Sequence, residues 1–263
     1  MVPSIPILMF HSLDEGDSPI SFPPAVFRRG VARLQAAGYR VVSLTELAYC
    51  LKGGMPFPDK ALVITFDDGY RTVFDEAFPV LRQHGMTATV FLTVGQPQEG
   101  EDRRRRYDRR RATRLPRLAG REMLSWREIG EMHRAGMDFG AHTLSHPDLR
   151  RLPEAMIERE IGVSKSVIED ALGRGVTSFA YPGGYYDERS LDIVRQRFAC
   201  ACSDKLALAS RRSDRHALER VDAYFVRTDR LFATLLAPWF GWYVRMRSIP
   251  RALRRGVMSW MKQ

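Results

Sequence analysis

The sequence has 263 residues, 44% of them apolar and 27% charged, with 20 Gly and 15 Pro. A chain of this length and composition supports one large domain or two small ones around a substantial core, which sets aside a disulfide- or metal-stapled mini-scaffold, a disordered chain and a polytopic membrane protein. The formal net charge is +10, a sign that favours polyanionic partners and solubility without bearing on fold.

In chain order, residues 5–10 read as a buried strand that ends at His11. Pro24 opens a helix with Phe27, Val31 and Leu34 on one stripe, and Gly38 closes it. Residues 39–44 and the β-branched run 61–66 read as further strands, the second ending at Asp67 and Asp68. A helix covering 74–81 follows, then strands at 87–92 and 137–141, the latter ending at His142. Residues 153–172 place Ile157, Ile161, Ile168 and Leu172 on one helical face, and 177–181 is again strand-like. Strands that alternate with helices in this way imply six or seven successive βαβ units and a largely parallel sheet or barrel up to about residue 225. The unusual polar residues His11, Asp67, Asp68, His142 and the turn 181–184 then all fall at C-terminal strand ends, the face on which barrels build active sites.

Charge is concentrated in two places. Residues 99–121 carry ten Arg against four acids, and residues 227–263 carry eight bases against one acid, so the remainder is slightly acidic. No zinc-finger spacing or RNP-like strand accompanies the basic runs, so no nucleic-acid partner is expected. The tail mixes Trp239, Trp242 and Trp260 with Arg245, Arg247, Arg251, Arg254 and Arg255. Its pattern suits either a helix packed across the barrel or peripheral association with an anionic membrane. Three Cys, Cys50, Cys200 and Cys202, make no CxxC pair and point away from a disulfide framework. The apolar run at residues 5–10 follows no basic segment and is too short for a secretory leader, and the apolar stretch 231–244 contains Pro238 and falls short of a spanning helix of about 20 residues. A cytoplasmic setting, peripheral to the inner face of the membrane, is expected.

Two elements carry chemistry. Thr65 to Tyr70 reads TFDDGY, in which Gly69 supplies a turn that lets adjacent carboxylates approach one spot; such a pair resists double ionisation without a nearby cation. His142 to Pro147 reads HTLSHP, two imidazoles four residues apart. Together they offer two nitrogens and one carboxylate oxygen, a set that holds a divalent metal and leaves a position for water.

TFDDGY, HTLSHP and the segment FAYPGGYYD (residues 179–187), with the connecting text from 123 to 149, resemble the motifs of the polysaccharide deacetylases. That family, carbohydrate esterase family 4, is built on the NodB homology domain, and the resemblance is nearest to the poly-β-1,6-N-acetylglucosamine deacetylase-like branch. It implies an α/β fold, a distorted (β/α) barrel of about seven strands over residues 1–225 with the basic insertion at 99–121, followed here by a basic amphipathic C-terminal helical extension over 226–263. It also implies metal-dependent removal of N-acetyl groups from hexosamines of a polysaccharide or lipid-linked glycan, in exopolysaccharide biosynthesis. Carried over residue by residue, Asp67 resembles the general base and Asp68, His142 and His146 the metal ligands, with Zn expected and Co or Ni as substitutes. Gly183 stands where the family usually has Tyr and offers its backbone N–H to an oxyanion.

The usual Leu-x-His acid is absent. His11, after the first strand as in the branch named above, takes that role, with His216 as the fallback. The Arg that many relatives carry near the third motif is also absent, and Arg220 is the proposed positive partner of Asp67. His84 and His133 read as surface helix residues. A deacylase or amidase on another acylated sugar or a non-sugar amide is the enzymatic alternative, and a catalytically inactive glycan-binding protein is the alternative of another class.

Overall fold

The computed structural model describes residues 4–53, 55–95 and 121–249. Seven strands, β1 (Ile7–Phe10), β2 (Ala61–Phe66), β3 (Thr89–Leu92), β4 (Asp138–Ala141), β5 (Ser178–Ala180), β6 (Cys200–Leu206) and β7 (Leu218–Asp222), pair in parallel in that order. Pairing of β1 with both β2 and β7 closes the ring, so the expected barrel of about seven strands is the observed architecture. The run at 39–44 gives only a two-residue strand, Arg40–Val41, which lies along the start of β2 outside the closed ring. Ser43 there caps the next helix by accepting from the Glu46 N–H at 3.0 Å, and this local bond ends the strand early.

Around the ring run α1 (Pro24–Ala36), α2 (Leu44–Leu51), α3 (Phe78–Gln83), α4 (Trp126–Arg134), α5 (Glu154–Leu172) and α6 (Glu188–Arg197). The helix expected at 74–81 is split, a π-helical turn over Val73–Ala77 leading into α3. Pro79 does not disturb it, because it falls in the first turn of α3, where no intrahelical N–H is required.

The alternation of β2 sorts its side chains. Leu62, Ile64 and Phe66 join the core between barrel and helices, while Ala61 and Val63 join the cluster inside the barrel with Ile7, Phe91, Ala180, Cys202 and Leu218. Phe91 fills the interior because Gly140 makes room: a Cβ on Gly140 would fall 2.5 Å from the Phe91 ring. The barrel is thus a packed core rather than a channel.

Beyond β7 the chain continues through α7 (Asp229–Phe232), a short 3-10 turn and a helix over residues 240–249. Phe232, Leu235, Phe240 and Val244 from this stretch are buried in the same core as the helix layer. Phe232 packs on Phe22 and fills the space above Gly30, whose absent side chain admits the ring. Among the described residues no helix is long and apolar enough to cross a membrane.

Candidate metal centre and active site

At the C-terminal ends of the strands lies a cavity of about 410 Å³, lined by His11, Asp67, Asp68, Tyr70, His142, His146, Gly183, Gly184, Asp204, Arg220 and Asp222 among others. The β2 exit is pinned on both sides: the Asp67 N–H donates to the Phe10 carbonyl at 2.9 Å and the Thr93 N–H to the Asp68 carbonyl at 3.2 Å. Residues 122–124 cross over the turn, with the Arg71 N–H donating to the Glu122 carbonyl and the Leu124 N–H to the Gly69 carbonyl, each at 2.9 Å. These bonds hold Asp68 at φ 74°, a left-handed conformation that costs a non-glycine residue free energy and persists only where the surroundings enforce it.

Asp68 points its Oδ1 at both imidazoles, 3.5 Å from His142 Nε2 and 3.5 Å from His146 Nε2. Two ligands each about 2.0–2.1 Å from a tetrahedral ion stand roughly 3.4 Å apart, so this spacing suits a metal of that kind. Two further observations fit. Asp68 Oδ1 is buried without a hydrogen-bond partner, a costly state for a carboxylate oxygen unless a cation meets it. His142 Nδ1 lies 2.7 Å from the Ala180 carbonyl, which fixes the proton there and turns the Nε2 lone pair into the site. Burial in addition pushes the His142 pKa down to about 4, against the pull of Asp67, so the imidazole is neutral as a metal ligand must be. Asp68, His142 and His146 therefore form a divalent-metal-binding site, the set expected from the two motifs.

The two histidines are presented by a loop rather than a helical turn. Thr143 and His146 adopt φ 66° and 58°, and the Thr143 hydroxyl accepts from the His146 N–H at 3.0 Å. Under the loop sits Glu160 of α5, 2% exposed. One of its oxygens accepts the Leu144 and Ser145 N–H groups at 2.9 and 3.0 Å, and the other accepts the Ser145 hydroxyl at 2.8 Å. Sequence reasoning passed over Glu160. Its signal was available, an acidic residue in register with Ile157, Ile161 and Ile168 on the buried face of a helix, where a polar side chain requires partners.

Arg220 rises from β7 inside the barrel, 1% exposed, with its guanidinium over the Phe91 ring at 5.8 Å. Its two terminal nitrogens donate to the two oxygens of Asp67, each at 2.7 Å, and its Nε donates to the Ser203 carbonyl at 2.8 Å. Burial alone would raise the Asp67 pKa, but the Arg220 charge and its paired hydrogen bonds hold this carboxyl well below the usual range. Asp67 is thus a fixed carboxylate next to the metal triad. The partner lost from the third motif is supplied by a strand 153 residues away in sequence.

The carbonyl that steadies Arg220 comes from an irregularity. The β6 and β7 registers pair Cys202 with Leu218 and Leu206 with Arg220, so four steps on β6 oppose two on β7. This bulge turns the Ser203 carbonyl toward Arg220 and brings Asp204 to the cavity wall. Gly184 stands against it at φ 70°, and a Cβ there would fall 2.3 Å from Asp204 Cβ. The 182–184 turn is therefore seated directly on the bulge, which puts Gly183, φ 58°, at the cavity. Asp204 and Asp222 are the wall contacts that no sequence motif announced.

His11 lines the cavity, half-buried, at the end of β1. His216 does not. Its Nε2 is 3.1 Å from the Phe198 carbonyl and its own carbonyl accepts the Tyr181 hydroxyl at 3.0 Å, so the fallback acid is a buried structural residue. His84, half-buried just past the end of α3, lies against Gln35, and His133 of α4, also half-buried, packs on Phe139; neither lines the cavity. Cys200 and Cys202 face the barrel interior, where burial pushes both thiols up, Cys202 to about 12; neither is a nucleophile. The arginines of the 99–121 insertion lie outside the described residues except Arg121. That residue pairs with Asp14, donates to the Ser21 hydroxyl at 2.9 Å and lies 5.8 Å from the Tyr70 ring.

A profile of the polysaccharide deacetylases matches residues 54–197, a span that contains Asp67, Asp68, His142, His146 and Gly183. The chain belongs to that family. The provisionally named polysaccharide deacetylase YxkH of Bacillus subtilis is 27% identical over 218 residues, covering 82% of this chain and 70% of its own. The poly-β-1,6-N-acetyl-D-glucosamine N-deacetylase of Staphylococcus aureus is 23% identical over 229 residues, covering 82% of this chain and 71% of its own. Among solved structures, the deacetylase PplD of Streptococcus pyogenes in complex with acetate superposes with a TM-score of 0.76 at 22% identity, over 90% of this chain and all of that one. These likenesses agree with the barrel described above. Family membership and the metal triad together support deacetylase activity, with hydrolysis of N-acetyl groups on sugars as the consistent reaction.

Proposed function

We propose that this polysaccharide deacetylase removes N-acetyl groups from the N-acetylhexosamine units of a polysaccharide or lipid-linked glycan. The observation that carries the proposal is one cavity holding both an Asp-His-His ligand set with an orphaned carboxylate oxygen and, beside it, a second carboxylate locked by a buried arginine. A divalent ion, with Zn the best match to two imidazoles and a carboxylate and Co or Ni able to replace it, would polarise the amide carbonyl and acidify a water molecule.

The protein's own groups supply the remaining steps. Asp67 accepts the proton of the attacking water. Arg220 occupies one lone-pair direction on each Asp67 oxygen and leaves others open, while it prevents the carboxylate from turning or being neutralised beforehand. The Gly183 N–H faces the oxyanion that develops as water adds to the carbonyl carbon. His11 donates a proton to the amide nitrogen as the carbon–nitrogen bond breaks, releasing a free amine and acetate. Asp204 and Asp222 offer acceptors to sugar hydroxyls.

A cavity open at one end of a barrel suits a chain-like glycan, and the likeness to the Staphylococcus aureus enzyme favours a β-linked N-acetylglucosamine polymer as substrate. The three cysteines are free and buried, in keeping with a reducing, cytoplasmic setting at which a nascent exopolysaccharide would be met. Mass spectrometry of metal-loaded protein incubated with acylated glycans and lipid-linked sugars tests the reading. Loss of an acetyl group in exchange for hydrogen is the expected product. A panel left unchanged, or cleavage only of non-sugar amides, overturns it.

A further inference from the structure

The helix over residues 240–249 uses one face to hold the barrel and displays another that nothing among the described residues covers. Phe240 and Val244 are buried in the core, and the Tyr243 hydroxyl donates to the Phe225 carbonyl at 2.6 Å, so the helix is fixed in rotation. At 3.6 residues per turn, Trp239, Trp242, Met246 and Ile249 then fall within a sector of about 80° on the side opposite Phe240 and Val244. All four are exposed, Trp242 at 64% and Trp239 at 51%. A contiguous stripe of two indoles, a thioether and an isoleucine on a solvent face is not explained by folding.

The charges beside the stripe say what covers it. Arg245 flanks it on one side and Arg247 on the other, both exposed, the second lying 5.4 Å from the Tyr243 ring. No Asp or Glu follows Asp229 in the sequence, whereas seven Lys or Arg do. A second copy of the same surface would bring like charges together and repel. An anionic lipid surface would accept the indoles at the headgroup boundary while the guanidinium groups meet phosphate on both sides. We infer that the stripe Trp239, Trp242, Met246 and Ile249, framed by Arg245 and Arg247, docks this protein on an anionic lipid surface.

The docking face is separate from the chemistry. Phe240 and Gly241 border a depression shared with Pro6, Lys60 and Ala61, at the N-terminal ends of β1 and β2, whereas the catalytic cavity opens at the opposite ends of the same strands. Docking therefore leaves the cavity open to a glycan chain, and surface attachment and turnover are independently alterable.

The test uses the full-length chain, sedimented with vesicles of phosphatidylcholine alone or mixed with phosphatidylglycerol, at low and high salt. The wild type is expected to sediment with the mixed vesicles and to be released by salt. The pair R245Q and R247Q is expected to weaken this partitioning about tenfold or more, and the pair W239S and W242S to abolish it. Both double variants keep wild-type acetate release from a soluble acylated sugar, which confirms that they fold. D68A is expected to bind vesicles like the wild type, so failure of the lipid inference and failure of the deacetylase reading give different results. No sedimentation, equal sedimentation with neutral vesicles, or a self-association that the tryptophan substitutions remove would each overturn the inference.

Discussion

Asp67 and Arg220 share two hydrogen bonds of 2.7 Å inside the barrel, with both residues nearly inaccessible to solvent. The pair joins the TFDDGY turn to the last strand of the ring, and it makes the placement of Asp67 depend on closure of the barrel. Removing only one partner strands a buried charge.

Arg220→Gln is therefore expected to destabilise the fold by about 3–5 kcal/mol. Adding Asp67→Asn should recover part of that loss, because the uncompensated charge goes with it. Denaturant titration of the two single variants and the double variant measures the coupling. Acid should reveal the same pair: the folded-state pKa of Asp67 lies below its unfolded value of about 3.9, so its contribution is fully present above that pH and fades as pH falls toward the folded value. Stability of Asp67→Asn should accordingly fall less steeply than that of the wild type below about pH 4.

Glu160 acts through the loop that carries the histidines. Glu160→Ala leaves the buried Leu144 N–H without an acceptor, at a cost of about 1–3 kcal/mol, and frees a loop with two left-handed residues. Metal affinity is expected to drop roughly 10- to 100-fold. Glu160→Gln, whose carbonyl still serves both N–H groups while its amide donates to the Ser145 hydroxyl, should retain most of the affinity. Titration with Co, followed by its visible absorption, distinguishes loop positioning from a general loss of fold.

The two glycines of the 182–184 turn differ in what surrounds them. Ala at either position pays about 1–2 kcal/mol for its left-handed backbone. At Gly184 the added methyl also meets Asp204 at 2.3 Å, whereas at Gly183 it meets only the Tyr185 ring at 3.0 Å. Gly184→Ala is expected to lower both stability and kcat, and Gly183→Ala, which keeps its N–H, to cost far less. Thermal unfolding alongside acetate release separates them.

His11 and His216 are expected to respond in opposite ways. His11→Gln should bind metal normally and lose about 10²- to 10⁴-fold in turnover, the usual range for a missing general acid. His216→Gln should reduce stability through the Phe198 contact and leave turnover per folded molecule unchanged. Metal analysis and single-turnover rates on both variants check the assignment.

The ligand set and the strand-end placement of the site were readable because each depends on local sequence: a continuous apolar run followed at once by a polar group. Asp67, Asp68, His142, His146, His11 and Gly183 all reach the one cavity. What escaped reading depends on contacts between distant segments. Glu160 reaches the histidine loop only after α5 packs, and Asp204 faces the cavity only because β6 bulges against β7. His216 illustrates the converse, since a histidine two residues before a strand gives no sign that its ring turns toward Phe198. Arg220 was legible only through the family resemblance, as the substitute for the arginine that many relatives carry near the third motif, and not from spacing.

In the proposed reaction the adjacent carboxylates divide the labour, Asp68 holding the metal and Asp67 moving the proton. Bound metal and acetate release from N-acetylglucosamine oligomers, measured side by side on Asp67→Asn and Asp68→Ala, address it most directly. The expected result is that Asp68→Ala loses metal and activity together, while Asp67→Asn keeps its metal and loses nearly all turnover. Near-normal turnover by Asp67→Asn, or full metal occupancy in Asp68→Ala, would contradict the assignment.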